Sequence, residues 1–174
     1  MHLVPCTEEA HAGRILAILN DAIATSTALY DYKPRMADSM VAWFAAKRAN
    51  GFPVIGAVDE ASGALMGFAS YGSFRAFPAY KYTVEHSVYV DKAHRGAGLG
   101  RALMEAILDE AVARDVHVMV GAIDAANAGS IALHERLGFE HAGTVRQAGF
   151  KFGRWLDVAF YQRILATPLV PVDG

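Results

Sequence analysis

Three glycines at alternate positions, Gly96, Gly98 and Gly100, stand between the strand-like Ser87-Val88-Tyr89-Val90 and a segment of helical spacing that runs to Glu110. Arg95 and Arg101 flank them, with Ala97 and Leu99 between. Glycine lets a backbone approach a ligand closely and adopt conformations closed to other residues. A loop that opens directly into a helix points unsatisfied N–H groups and the positive end of the helix dipole at one place. Such a turn binds anions, phosphate oxygens above all, and the two arginines add charge at its rim. The spacing is neither the G-x-G-x-x-G of dinucleotide folds nor the G-x-x-x-x-G-K-[ST] of ATP-binding loops. Taken alone, the loop leaves open a glycine-rich turn with no ligand.

Other reactive side chains offer less. The single cysteine, Cys6, has no base near it in sequence and reads as a structural thiol. His134-Glu135 opens the zinc-protease pattern H-E-x-x-H, but position 138 is glycine, so the second ligand is missing and no metal site is indicated. His2, His11, His94, His117 and His141 are scattered singly and read as surface or core residues.

The elements that position these residues follow from periodicity. Leu3-Val4 begins a short strand, and Thr7-Glu8-Glu9 reads as a cap with first-turn acids for a helix through about Ala24. Residues 25–36 read as a surface loop carrying Tyr30 and Tyr32, and a second helix from Asp38 stops at Asn50-Gly51. Phe52–Asp59 and Ala64–Tyr71 read as a hairpin, Tyr82–Val90 as a long strand, and Leu99–Arg114 as a helix. Val116–Ile123 is a strand, Ser130–Gly138 a short helix, and two strands follow, through about Thr144 and from Trp155 to Ile164. The basic, glycine-containing RQAGFKFGR is expected to connect them. The order βααβββαβαββ predicts an α/β (α+β) fold, a central mixed sheet flanked by helices.

Composition narrows the class. With 174 residues, 53% hydrophobic and 20% charged, the chain suits one domain, 1–174, rather than disorder. A net charge of -2 gives no basic stripe for nucleic acid and no polybasic membrane patch, and no apolar run is long enough to span a bilayer. The expected partner is a small molecule. The N-terminus lacks the plan of a signal peptide, so the cytoplasm is the expected location.

Arg95-Gly96-Ala97-Gly98-Leu99-Gly100 resembles the R/Q-x-x-G-x-G/A signature of the GCN5-related N-acetyltransferases, which holds the pyrophosphate of acetyl-coenzyme A. The element order is also that of this acyl-CoA N-acyltransferase fold, whose sheet is mostly antiparallel. Asn127 to Phe139 resembles the family's N-x-x-S/A-x-x-L-Y-x-x-x-G-F segment, with His134 in the place usually held by tyrosine. In the family that tyrosine can donate a proton to the leaving thiolate and the asparagine contacts the coenzyme. The resemblance therefore implies that His134 is catalytic and that Val88, Tyr89, Val90, Arg95 to Arg101, Asn127 and Ser130 bind acetyl-coenzyme A.

Aminolysis of a thioester requires a neutral amine, and an alkylammonium is mostly protonated at neutral pH, so a base must accept a proton directly or through water. Glu85, on the strand leading into the glycine loop, is the first candidate. Alternation should turn His86 to the opposite face. The segments SFRAFPAYKYTVEHSVYV, RGAGLGRAL, HVMVGAIDAANAGSIALHERLGF and KFGRWLDV are similar to the phosphinothricin, methionine sulfoximine and methionine sulfone acetyltransferase branch. That resemblance implies transfer to the α-amine of an L-amino acid whose side chain ends in a tetrahedral, oxygen-rich sulfur or phosphorus, with Arg75, Phe77, Glu85, His86 and Ser87 lining its pocket. It also implies a homodimer. A same-fold enzyme acting on a protein N-terminus or another small amine, and a non-catalytic acetyl-coenzyme A binding module, remain alternatives.

Overall fold

The computed structural model describes residues 1–173 and has the element order predicted from the sequence. The strands are β1 (His2–Pro5), β2 (Val54–Val58), β3 (Leu65–Ser73), β4 (Thr83–Val90), β5 (Val118–Asp124), β6 (Glu140–Lys151) and β7 (Arg154–Ile164). The helices are α1 (Glu8–Thr25), α2 (Ser39–Ala49), α3 (Leu99–Ala113) and α4 (Ala128–Arg136). The strands follow the order β1-β2-β3-β4-β5-β7-β6. β4 and β5 are parallel, and the other registered pairs, β1–β2, β2–β3, β5–β7 and β6–β7, are antiparallel. The α/β class and mostly antiparallel sheet are as expected. Contacts divide the chain into two compact units, Met1–Tyr71 with Ser87–Ile107, and Gly72–His86 with the chain from Leu108 on.

In the first unit α1 starts where Thr7 Oγ1 accepts from the Ala10 N–H. Its buried Ile15, Ile18 and Leu19 pack with Met40 and Phe44 of α2 and with Val54, Val58, Leu65 and Phe68 of the β2–β3 hairpin. α2 is capped by Asn50, and the next residue, Gly51, has the left-handed φ of +64° anticipated from Asn50-Gly51. Gly67 of β3 is required by close approach: a Cβ there would lie 2.8 Å from the Tyr89 carbonyl oxygen. This packing holds the end of β4 that leads into the glycine loop.

In the second unit β5 is the central strand, pairing Thr83–Glu85 on one side and Val158–Ile164 of β7 on the other. Residues 146–154 do not form the expected connection. β6 continues to Lys151, and only Phe152-Gly153, with φ of +52° and +73°, make the turn into β7. A bulge between Val145 and Gly149 hides the continuation from a period-two reading. Within it Gln147 has φ +53° and donates its N–H to an Asp157 carboxylate oxygen at 2.8 Å.

Candidate active site

β4 carries the site's first residues. Along it Val84 and His86 are buried, whereas Thr83, Glu85 and Ser87 are half-buried, so alternation puts Glu85 and His86 on opposite faces as predicted. The β4–β5 ladder runs Thr83–Val118, Val84–Met119 and Glu85–Val120. Burial raises the Glu85 carboxyl above its ordinary range, and the charge of Arg75 opposes that rise. A carboxylate tuned upward is a better proton acceptor near neutrality than one in water.

Arg75 lies on the loop after β3. Its guanidinium carbon stands 4.4 Å from the centre of the Phe74 ring, and an N–H reaches the Phe74 carbonyl at 3.2 Å. Phe74 packs edge-on against Tyr80, so the loop is held by its own aromatic residues. Phe77 is 73% exposed. Tyr30 and Tyr32 belong to the other unit, in the segment between α1 and α2.

The glycine loop begins where Asp91 fixes the end of β4. Its N–H donates to the Met66 carbonyl and its carboxylate accepts from the Ala93 N–H, each at 2.8 Å, and pairs with Arg14. The backbone hydrogen bond from Ala93, followed by the Arg14 charge, holds this carboxyl below the usual range. Neither Asp91 nor Arg14 was singled out from sequence, because their partnership spans 77 positions. Gly96 and Gly98 have φ of +81° and +78°, and a Cβ on either would meet nothing within 4 Å. The glycines are therefore needed for conformation, and the space beside them is open. Gly100 differs: it lies inside the first turn of α3. Arg95 Nε donates to the Val90 carbonyl at 3.4 Å, and Arg101 pairs with Glu105 at 2.8 Å. An exposed loop with open backbone, followed by a helix whose first-turn N–H groups have no helical acceptors, fits a pyrophosphate.

The remaining residues lie on or against α4. Asn127 is its N-cap, and the side-chain oxygen accepts from the Ser130 N–H at 3.1 Å. One turn on, His134 Nδ1 lies 2.7 Å from the Ser130 carbonyl. His134 is 1% exposed, and its Nε2 is 3.0 Å from Nε2 of His86, which is 8% exposed. Gly121 of β5 makes room for both rings: a Cβ there would lie 2.8 Å from His86 Nε2 and 3.0 Å from His134 Nε2. Nothing in the sequence signalled this contact. Burial, then the neighbouring imidazole, lowers His86 to about 3, and burial lowers His134 despite the Ser130 hydrogen bond, so both rings are neutral at pH 7.

Cys6 is partly buried, and burial pushes its thiol up to about 12, far from the thiolate a nucleophile needs.

Residues 16–139 match the model of the acetyltransferase (GNAT) family. The chain belongs to that family. Among curated proteins it is 49% identical over 148 residues to an L-methionine sulfoximine/L-methionine sulfone acetyltransferase of Pseudomonas aeruginosa, covering 85% of this chain and 86% of that protein. A solved structure from Acinetobacter baylyi matches with a TM-score of 0.98 and 66% identity, over 99% of this chain and 97% of that one. A phosphinothricin acetyltransferase from Sinorhizobium meliloti, solved in complex with acetyl-coenzyme A, matches with a TM-score of 0.93 and 35% identity, over 99% and 94% of the two chains. The chain is thus an N-acetyltransferase, and the matched segment includes β4, the glycine loop and α4.

Proposed function

We propose that this acetyltransferase, a single domain over the whole chain, moves the acetyl group of acetyl-coenzyme A directly to the α-amine of an L-amino acid such as methionine sulfoximine, methionine sulfone or phosphinothricin. The names of its relatives support the substrate class. The observation that carries the mechanism is Glu85, half-buried on β4 with its carboxyl raised by burial and within the field of Arg75.

Acetyl-coenzyme A supplies an activated thioester. Glu85 takes the proton from the α-ammonium, directly or through water, which frees the lone pair for attack. The C–N bond forms, the tetrahedral intermediate collapses by breaking the C–S bond, and the coenzyme A thiolate leaves and takes up the second amine proton. Arg75 offers a fork of donors to the amino acid's carboxylate or oxygen-rich head group, and Phe77 offers an apolar wall. Ser87, on the Glu85 face of β4, offers a hydroxyl. The Val88–Val90 backbone orients the acetyl and pantetheine amides, and residues 95–101 hold the pyrophosphate through backbone N–H groups and arginine charge. Asn127 and Ser130 contact the coenzyme from the start of α4. His134 takes part through its neutral ring.

The enzyme works as a cytoplasmic homodimer in this reading. β6 is an exposed terminal strand of 12 residues, and Val145, Phe150, Phe152 and Trp155 of the β6–β7 hairpin are exposed. A second copy would cover such an edge. Light scattering should give twice 18.7 kDa and Trp155→Glu should give one copy; a monomeric wild type would remove this part.

The substrate assignment is tested by coenzyme A release with methionine sulfoximine, methionine sulfone and phosphinothricin beside ordinary amino acids. Release above background with the sulfone or sulfoximine is expected. No release with any of the three analogues would end the assignment.

A further inference from the structure

The two buried imidazoles have a fixed polarity. A carbonyl only accepts, so the 2.7 Å contact to the Ser130 oxygen puts the ring proton of neutral His134 on Nδ1. His134 Nε2 is then a bare acceptor, and the 3.0 Å contact requires His86 to carry its proton on Nε2. The donors run one way, from His86 to His134 to the Ser130 carbonyl. What remains is His86 Nδ1, a buried lone pair without a hydrogen-bond partner among the described residues.

An orphaned buried acceptor calls for an explanation. So does Gly121, where any side chain would strike both rings. The rings stack with centres 5.0 Å apart, and Phe139 packs edge-on against each, at 5.6 Å from His86 and 5.1 Å from His134. The titratable groups around the pair do not favour an imidazolium. From β7, Tyr161 lies 6.4 Å from His134 and turns its hydroxyl to Glu135 of α4 at 3.5 Å. From β6, His141 lies against Tyr161 at 5.3 Å, and Glu85 is on the opposite face of β4.

We infer that His86 is a positioning residue for the first turn of α4: by donating to His134 it fixes the ring whose Nδ1–H holds the Ser130 carbonyl, and so sets where Ser130 and Asn127 stand. This rests on the assignment of Asn127 and Ser130 to acetyl-coenzyme A binding. The Asn127 side chain already closes on the Ser130 N–H, so the turn is held from both ends, by its cap and by the histidine chain.

The test compares His86→Met, of similar length without a donor, with His86→Gln, whose amide can still donate to His134, after thermal melts show both fold. His86→Met should raise KM for acetyl-coenzyme A about five- to tenfold, the scale of one hydrogen bond, while KM for methionine sulfone changes less than about twofold. His86→Gln should stay within about twofold for both. In the wild type, 15N spectra of labelled histidine should show one ring protonated at Nδ1 and one at Nε2, with His86 not titrating between about pH 5 and 8 and His134 titrating below the ordinary 6.5 of a free imidazole. An unchanged acetyl-coenzyme A KM in His86→Met, an equal rise for both substrates, or a His134 proton on Nε2 overturns the inference. Asn127→Ala separates it from the reading beneath: an unchanged acetyl-coenzyme A KM there overturns the coenzyme assignment itself.

Discussion

Burial and the Arg75 charge pull the Glu85 carboxyl in opposite directions. Burial raises the Glu85 carboxyl from an ordinary value of 4.5, and Arg75 pulls it back. Glu85→Gln should therefore lower kcat by about 10²–10⁴, the usual worth of a general base, with KM for acetyl-coenzyme A little changed. It should also alter stability with a definite sign. A carboxyl raised in the folded state binds its proton more tightly there than in the unfolded chain. Its contribution is lost as pH rises through the interval from 4.5 upward to the raised value. The variant should thus melt higher than wild type at neutral pH, and the difference should vanish below pH 4.5. Arg75→Ala should raise KM for the amino acid about tenfold or more, as loss of a charge-assisted hydrogen bond implies. It should also move the acidic limb of the kcat/KM profile to higher pH, since the opposing charge is gone. Rate measurements from pH 5 to 9 check both. Glu85 was legible in the sequence because it stands on the strand feeding the glycine loop. Its electrostatic link to Arg75, ten positions earlier, depends on how the loop after β3 folds.

Among the elements, the strand-turn-helix from β4 to α3 was readable almost to the residue, because glycine spacing and helical periodicity are local signals. Asp91 and Arg14, which fix the entry to the turn, were not, because they meet through tertiary packing. Gly98→Ala should cost about 1–2 kcal/mol, since φ of +78° is left-handed and the added methyl meets nothing. Refolding cost and coenzyme affinity should change together in denaturant melts with and without acetyl-coenzyme A. The β6–β7 hairpin is the converse case. Its alternation is broken by the bulge at Val145–Gly149, so periodicity ended the strand early although the ladder continues.

Across the whole molecule, the buried histidines bear on acid stability. His86 is lowered to about 3 and His134 is lowered too, whereas both take a proton near 6.5 once unfolded. Depressed folded values mean the unfolded chain binds more protons below that pH. Stability should fall as pH drops from 6.5 toward 3, with Glu85 acting in the opposite sense at the lower end. Denaturant melts at pH 7.5 and pH 5 should show the loss, and His86→Met should reduce it. An equal loss in the variant would place the acid sensitivity elsewhere.

The sequence by itself determined the order of elements, the anion-binding turn, the family and the opposed faces of Glu85 and His86, because these follow from spacing along the chain. The tertiary structure alone decided the His86–His134–Ser130 hydrogen-bond chain, the clearance at Gly121, the Asp91 anchor and the extent of β6. Each depends on residues far apart in sequence, or on a bulge that changes register, and periodicity carries no information about either.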